Sequence, residues 1–265
     1  MIDAHVHLEN GPLSKDYVFE FIKSAQEKGI DHLQILDHTH RFFEFKEMYE
    51  DICQIPAQKE WFLKKQKNSI QEYIDLIEDV KKEPLPIQVT WGLEVCYKKE
   101  REDFLKKALQ VYPFDFMVGS VHDVFDRLYD ISAFSKELLW NQYESKDIYA
   151  AYYQQLKSCI ESDLFTQIGH PDVIKLYQID PGYDLTPTYY ELADLAKAHG
   201  VALEDNTGAY YRYRHPQIGL HPTLRKILLT KEVPILWASD AHVPQNVGRC
   251  YEILKEAYYD ISPVK

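Results

Sequence analysis

Two short motifs place metal-competent side chains near opposite ends of the chain. His5 and His7 are separated by one residue, as are Asp240 and His242. Alternate residues of a strand point to the same side, so each pair can direct two ligands at one cation. A single pair of this kind also fits a strand end that only hydrogen-bonds to backbone. The motifs therefore indicate metal chemistry only if further ligands join them.

Further candidate ligands stand at the ends of short apolar runs. They are His38, Glu94, His122 and His170. Viewed singly, each histidine could be a structural residue. Gathered at one place, so many titratable groups would repel one another and would be costly to bury unless cations bound them. The whole set therefore predicts a metal centre.

The apolar runs that carry these residues have the length and composition of buried parallel strands. Helical patterns at 16–28 and 187–199 separate some of them, and Gly29 and Gly200 follow these patterns where a helix often ends in positive φ. Seven strands are predicted, at 1–7, 32–38, 87–94, 114–122, 165–170, 201–206 and 234–242. The alternation predicts an α/β fold whose strand carboxyl ends meet at one face, where active sites are built.

Two of the intervals between strands are longer than a βα unit requires. Residues 42–83 and 125–145 are therefore expected to be insertions after the second and fourth strands. There they could form walls above the carboxyl end of a barrel. No low-complexity linker divides the sequence, so residues 1–265 are expected to form a single domain.

Composition limits the possible functions. The net charge of −12 argues against non-specific nucleic-acid binding, which depends on cationic surface. The four cysteines are widely spaced, which suits reduced thiols in a cytosol. Neither a signal peptide nor an apolar run of about 18 residues is visible, so a soluble cytoplasmic protein without a membrane partner is expected. The oligomeric state is left open.

The types of candidate ligand limit the identity of the metal. Nitrogen and oxygen donors without thiolate favour Zn, Fe or Mn. The candidate set is too large for one tetrahedral ion, so two or three ions that share Glu94 and a bridging hydroxide would account for it. Such a centre would lower the pKa of bound water and clamp the attacking and leaving oxygens of a hydrolysis, with Asp240 or His242 protonating the leaving oxygen.

The ordered motifs resemble those of the polymerase-and-histidinol-phosphatase (PHP) superfamily. They are the His5 and His7 pair, Asp37-His38, GLE at 92–94, GSVH at 119–122, GHPD at 169–172 and the Asp240 and His242 pair. The segments 114–122, 164–177 and 203–208 resemble the histidinol-phosphate phosphatase branch. The resemblance implies a distorted (β/α)7 TIM-like barrel and hydrolysis of L-histidinol phosphate, a small phosphorylated substrate, in histidine biosynthesis.

The same resemblance implies how two to three divalent ions would be held. His5, His7, Glu94 and Asp240 would bind the first; Glu94, His122 and His170 the second; His38 and His242 the third. The family's additional ligand to the third ion falls on Leu13, which cannot coordinate. Glu9 and His40 are the candidate substitutes, and two ions are therefore better supported than three.

Phosphate capture requires cations or N–H donors in addition to the metals. Arginine is favoured because its guanidinium can bind a phosphate through two parallel hydrogen bonds. The predicted substrate-binding residues are Arg41, Asn206, Arg212, Arg214 and His215. An exposed basic loop that balances an acidic protein is the alternative reading of 212–215.

Other functions remain open at this stage. A phosphodiesterase or 3′–5′ exonuclease would share the motifs, although the negative charge counts against it. A phosphatase for another small phosphomonoester is a further alternative. An amidohydrolase would need a metal-bridging lysine, which no predicted strand end supplies. A non-catalytic metal-binding module is favoured only by Leu13.

Overall fold

The computed structural model describes residues 1–259 and contains a barrel of seven parallel strands. The strands follow one another around the barrel in chain order. They are β1 (Ile2–His7), β2 (His32–Leu36), β3 (Gln88–Cys96), β4 (Phe116–Ser120), β5 (Gln167–Ile168), β6 (Ala202–Asn206) and β7 (Ile235–Ala238). The first and last strands meet at a parallel bridge between Val6 and Ala241, where the His7 amide donates to the Ala241 carbonyl over 2.8 Å. The predicted TIM-like α/β barrel is confirmed.

The strands are buried on both faces, which explains their nearly continuous apolar sequences. In β1 every residue from Asp3 to His7 is buried, and in β3 every residue from Trp91 to Cys96 is buried. A strand covered on only one side would instead alternate between apolar and polar residues.

Four strands end earlier than predicted: β2 ends at Leu36 and β4 at Ser120, and the strands before His170 and Asp240 are shortened as well. The run 165–170 forms only the two residues of β5, and 234–242 forms β7 only as far as Ala238. His170 has a φ of 30° and Asp240 a φ of 56°, whereas a β ladder requires strongly negative φ. Both candidate ligands therefore lie just beyond the ladder, on turns.

Nine α-helices accompany the strands within residues 1–259. They are α1 (Lys15–Glu27), α2 (Pro56–Lys65), α3 (Ile70–Val80), α4 (Glu102–Ala108), α5 (Ser145–Glu161), α6 (Thr186–His199), α7 (Gly208–Tyr213), α8 (Pro222–Thr230) and α9 (Tyr251–Tyr259). The predicted helices at 16–28 and 187–199 correspond to α1 and α6. The glycines that follow them, Gly29 and Gly200, have φ values of 68° and 66°, as predicted. No helix in this part of the chain combines the length and hydrophobicity needed to cross a bilayer.

The two long intervals contain additional structure near the barrel mouth. The first holds three short 3-10 helices together with α2 and α3. Ser69 caps α3 by accepting from the Glu72 amide, while the Glu72 carboxylate accepts from the Ser69 amide. The second holds a small hairpin (Asp123–Val124 with Arg127–Leu128) and one π turn at Lys136–Trp140. Their origin as insertions into a single domain stays a prediction.

Candidate metal centre

The carboxylate of Glu94 lies at the centre of the histidine cluster. Glu94 is on β3, its side chain is fully buried, and its Oε2 atom lies 2.9 Å from His38 Nδ1. The same oxygen lies 3.2 Å from His5 Nε2 and 3.3 Å from His7 Nε2. One carboxylate oxygen is therefore shared by imidazoles that β1 and the end of β2 supply.

The other oxygen of Glu94 faces a second pair of histidines. Its Oε1 atom lies 2.9 Å from His170 Nε2 and 3.1 Å from His122 Nε2. These two residues follow β5 and β4. Because its two oxygens face different histidine groups, the carboxylate has the geometry of a bridging ligand.

Asp240 completes the group around His5 and His7. Its Oδ1 atom lies 3.4 Å from His7 Nε2 and 3.8 Å from His5 Nε2. The carboxylate is accommodated because residue 208 is glycine. A Cβ atom at Gly208 would lie 2.6 Å from Asp240 Oδ2, which is too close for any other residue without a shift.

The residues proposed for a third ion also come together. Glu9 Oε1 lies 3.2 Å from His242 Nε2, and Glu9 Oε2 lies 3.5 Å from His40 Nε2. His38 joins both groupings: its ligand atoms lie within 4.8 Å of those of Glu9 and His40, and of those of His7 and His242. Leu13 packs against the apolar core instead. Glu9 and His40 thus occupy the place for which they were suggested, and their role as ligands remains a proposal.

The chemistry of the donors tests whether cations fit this arrangement. His5 Nδ1 lies 2.8 Å from Glu204 Oε1, and both side chains are fully buried. When Nδ1–H donates to Glu204, a neutral His5 directs the lone pair of Nε2 at Glu94 Oε2 and at His7 Nε2, 2.8 Å away. Two hydrogen-bond acceptors that face each other in this way are unfavourable unless a proton or a cation lies between them. The residues fit Zn, Fe or Mn, the metals that suit imidazole and carboxylate ligands.

The protonation of the centre divides the histidines into two classes. Although burial opposes it, the Glu204 and Glu94 carboxylates raise the pKa of His5 well above its usual value. Glu94 does the same for His122, again against burial. Burial, with further contributions from the neighbouring His7 and Arg212, lowers the pKa of His242 to about 3. Without metal at neutral pH, these pKa directions favour the doubly protonated imidazolium of His5 and His122 and the neutral imidazole of His242.

Metal binding should therefore release protons. A metal-bound imidazole must be neutral at the ligating nitrogen, so the ion displaces the protons that the raised pKa values keep on His5 and His122. Affinity is expected to rise with pH and to weaken as the pH falls and protons compete. Zinc titration calorimetry in two buffers of different ionisation enthalpy measures the number released. An observed enthalpy that is the same in both buffers would contradict this expectation.

Glu204 was missed in the sequence analysis although it supports several candidate ligands. Besides His5, its carboxylate accepts from the His170 amide at 3.1 Å and from Asn206 Nδ2 at 3.1 Å. Carboxylates that accept from the second nitrogen of a ligating histidine fix its tautomer and orientation. A signal was available, because Glu204 lies two residues before Asn206 and so on the same side of β6.

Replacing Glu204 should weaken metal binding without removing a ligand. In Glu204→Gln the neutral amide accepts a weaker hydrogen bond from His5 Nδ1–H than the carboxylate does. Zinc affinity is therefore expected to fall by about 10- to 100-fold. Competition with a chromophoric chelator gives this affinity. The matched control is Glu191→Gln, an exposed carboxylate on α6. Equal affinities for the two variants would show that Glu204 does not tune the centre.

A cavity opens above the centre, and two of the predicted substrate-binding residues line it. Arg212 and Asn206 contribute to its wall, and so does Lys65, which the sequence analysis did not single out. Arg212 Nη1 lies 3.0 Å from Asp240 Oδ2. Lys65 Nζ lies 3.4 Å from Glu9 Oε2. Each cation is therefore held next to a candidate metal ligand.

Three other predicted substrate-binding residues do not line this cavity. The Arg41 guanidinium is buried and donates to Asp37 Oδ2 at 2.6 Å. Arg214 is exposed and ends α7 with a φ of 57°. His215 is buried, lines a separate cavity and hydrogen-bonds to the backbone of Gln217. The side chains of Arg41 and His215 are committed to local contacts, and Arg214 lies outside the cavity lining, so the expectation that these three contact substrate is not carried further.

The fold and the clustered ligands define the class: an α/β barrel with a candidate multinuclear metal centre at one end. The sequence profile of the PHP domain matches residues 3–208. Since this match covers most of the chain, the protein belongs to the PHP domain family.

Two relatives extend over nearly the full length. A Deinococcus radiodurans protein named "Probable histidinol-phosphatase" is 28% identical, over 97% of this chain and 92% of the relative. The "Histidinol-phosphatase" of Bacillus subtilis is 26% identical, over 96% of this chain and 98% of the relative.

Two crystal structures share the fold. One, from Listeria monocytogenes, superposes with a TM-score of 0.78 at 22% identity, covering 96% of this chain and 99% of the other. The other is a histidinol phosphate phosphatase from Lactococcus lactis complexed with Zn, L-histidinol and phosphate. It has a TM-score of 0.69 at 17% identity, covering 97% of this chain and 93% of the other.

Proposed function

We propose that this protein is a metal-dependent phosphomonoesterase that hydrolyses L-histidinol phosphate in histidine biosynthesis. The observation that carries the proposal is the Glu94 carboxylate, whose two oxygens each face histidines from different strands. The names of the two full-length relatives support the substrate. The Lactococcus lactis structure, which contains Zn, supports zinc among the candidate metals. The number of candidate ligands is the basis for proposing two to three ions.

The candidate ligands follow the assignment that the motifs implied. His5, His7, Glu94 and Asp240 would hold one ion, and Glu94, His122 and His170 another. A third would use His38 and His242 with Glu9, and His40 is adjacent. Bound divalent ions lower the pKa of a water molecule and neutralise charge on phosphoryl oxygens.

The cavity wall would orient the phosphoryl group. Arg212 and Lys65 present N–H donors next to the metal ligands, where the phosphoryl oxygens of a bound substrate would lie. Asn206 uses both amide atoms within the protein: Nδ2 donates to Glu204, and Oδ1 accepts from the Gly208 amide at 2.8 Å. Its proposed role is therefore to position Glu204 and α7.

Asp240 and His242 are the proposed catalytic residues. Although burial opposes it, Arg212 and His242 hold the pKa of Asp240 well below its usual range, so its carboxylate is ionised at neutral pH. The Asp240 carboxylate can therefore accept the proton of the attacking water and pass it to the leaving oxygen. His242 Nδ1 lies 2.9 Å from the backbone carbonyl oxygen of Asp240. In the tautomer with a proton on Nδ1, the ring donates to this carbonyl, which holds the imidazole beside Asp240.

The test is phosphate release by the metal-loaded full-length protein. L-Histidinol phosphate is expected to be hydrolysed much faster than other small phosphomonoesters, and single-stranded DNA is expected to remain intact. Preferential hydrolysis of DNA would replace the proposal with an exonuclease. Failure to release phosphate from any ester despite full metal loading would replace it with a metal-binding module.

All four cysteines are free, which agrees with the proposed cytoplasmic location.

A further inference from the structure

One carboxylate on the wall of the active-site cavity differs from the others. Asp130 follows the small hairpin after β4 and lines the cavity together with the candidate metal ligands His122 and His170. Its side chain is half-buried. No residue among 1–259 forms an ion pair with its carboxylate or donates a side-chain hydrogen bond to it.

The other carboxylates that line this cavity all have a basic partner. Glu9 lies near Lys65, and Asp240 lies near Arg212. Asp172 Oδ2 lies 2.7 Å from Lys175 Nζ. Partly buried carboxylates normally require such compensation. Within residues 1–259, Asp130 has no ion-pair partner of this kind, and Arg212, His122 and His170 act on its carboxyl only at longer range.

An unmatched carboxylate is unfavourable beside an anionic ligand. A phosphomonoester carries negative charge to the metal centre, and Asp130 would repel it if the rest of the substrate were neutral. The repulsion becomes an attraction if the substrate itself carries a cation on the side away from its phosphate. Burial raises the pKa of the Asp130 carboxyl, so a cationic ligand would also stabilise its ionised form.

The surroundings of Asp130 restrict the rest of the ligand. Ile131, Leu176 and Tyr213 line the same cavity and present apolar or aromatic surface. A ligand that reaches from the metal centre to this wall would place a polar cationic group at Asp130 and a flat or apolar group beside it.

We propose that Asp130 is a specificity-determining residue that binds a protonated amine of the substrate, which makes the substrate class an aminoalkyl phosphomonoester. The inference rests on the proposed function for the location of the phosphate. It adds that the amine, as well as the phosphate, is recognised.

The experiment compares ligands that differ only in the amine. Turnover of L-histidinol phosphate and of its des-amino analogue is measured with the zinc-loaded wild type, with Asp130→Asn and with Asp130→Glu. In Asp130→Asn, kcat/KM for the amine-bearing ester is expected to fall by about 10- to 100-fold, chiefly through KM, because a hydrogen bond to a charged group is lost. In the same variant, kcat/KM for the des-amino ester should change by less than about threefold. Asp130→Glu should restore part of the preference for the amine-bearing ester. Equal losses on both esters would overturn the proposal, since they would indicate a structural role.

A binding measurement separates this inference from the proposed function. Calorimetry with L-histidinol, which has the amine but no phosphate, requires no turnover. Weaker binding to Asp130→Asn than to the control Asp103→Asn, an exposed aspartate on α4, supports the inference even if no ester is hydrolysed. Equal binding to both variants, or no binding to the wild type, overturns it. Absence of phosphate release alone counts against the proposed function only.

Discussion

Glu94→Gln is expected to abolish most of the activity while leaving the fold intact. Both carboxylate oxygens face imidazole nitrogens at 2.9–3.3 Å, so the amide would direct an N–H group at atoms that must offer lone pairs to a cation. The negative charge that offsets the cations is lost as well. Turnover of L-histidinol phosphate should fall by roughly 10³-fold or more, because charge stabilisation at the reacting centre is removed. Metal analysis by mass spectrometry should show at least one ion fewer per chain.

A matched substitution distinguishes the loss of the Glu94 carboxylate from the general effect of removing one negative charge. Glu100→Gln removes one carboxylate from an exposed position that follows the same strand, and it should preserve both turnover and metal content. Near-wild-type turnover in Glu94→Gln with a full metal complement would contradict the bridging role of Glu94.

Arg225→Ala is expected to have the largest effect on stability. Arg225 on α8 donates through Nε to Asp205 Oδ2 at 2.6 Å and through Nη2 to Asp205 Oδ1 at 3.2 Å, and both side chains are buried. Removing the guanidinium leaves the charge of Asp205 buried without its partner. Such a loss lowers the free energy of unfolding by about 3–5 kcal/mol.

Urea denaturation of the metal-free protein measures this effect without a contribution from metal binding. Lys226→Ala, on the exposed side of the same helix, is the control and should lie within about 0.5 kcal/mol of wild type. If Arg225→Ala also stays within that range, the buried pair contributes nothing to stability.

The candidate ligands could be found from the sequence because their positions follow from local rules. A run such as 87–94 indicates a buried strand through its own composition, and parallel strands bring their carboxyl ends to one face. Glu94 and the histidines that follow other strands therefore meet without any knowledge of the loops. The helix ends at Gly29 and Gly200 were predictable for the same reason, since positive φ is a property of the residue itself.

The partners of individual side chains were decided by the tertiary structure. Arg41 was a reasonable phosphate ligand by type, yet the fold directs it to Asp37, whereas Lys65 arrives at the cavity from a distant helix. Glu204 and Asp130 acquire their proposed roles from what surrounds them. Glu204 contacts a histidine, and Asp130 has no cation in ion-pair contact within the described residues.

The physical reason for this division lies in the range of the interactions. Strand and helix patterns reflect forces between near neighbours in the chain, so the sequence by itself determined the barrel and the positions that offer ligands. Charge compensation depends on which distant segments come within a few ångströms of each other. Only the packed structure decided that the metal-facing carboxylates have partners and that Asp130, among the described residues, lines the cavity without an ion pair.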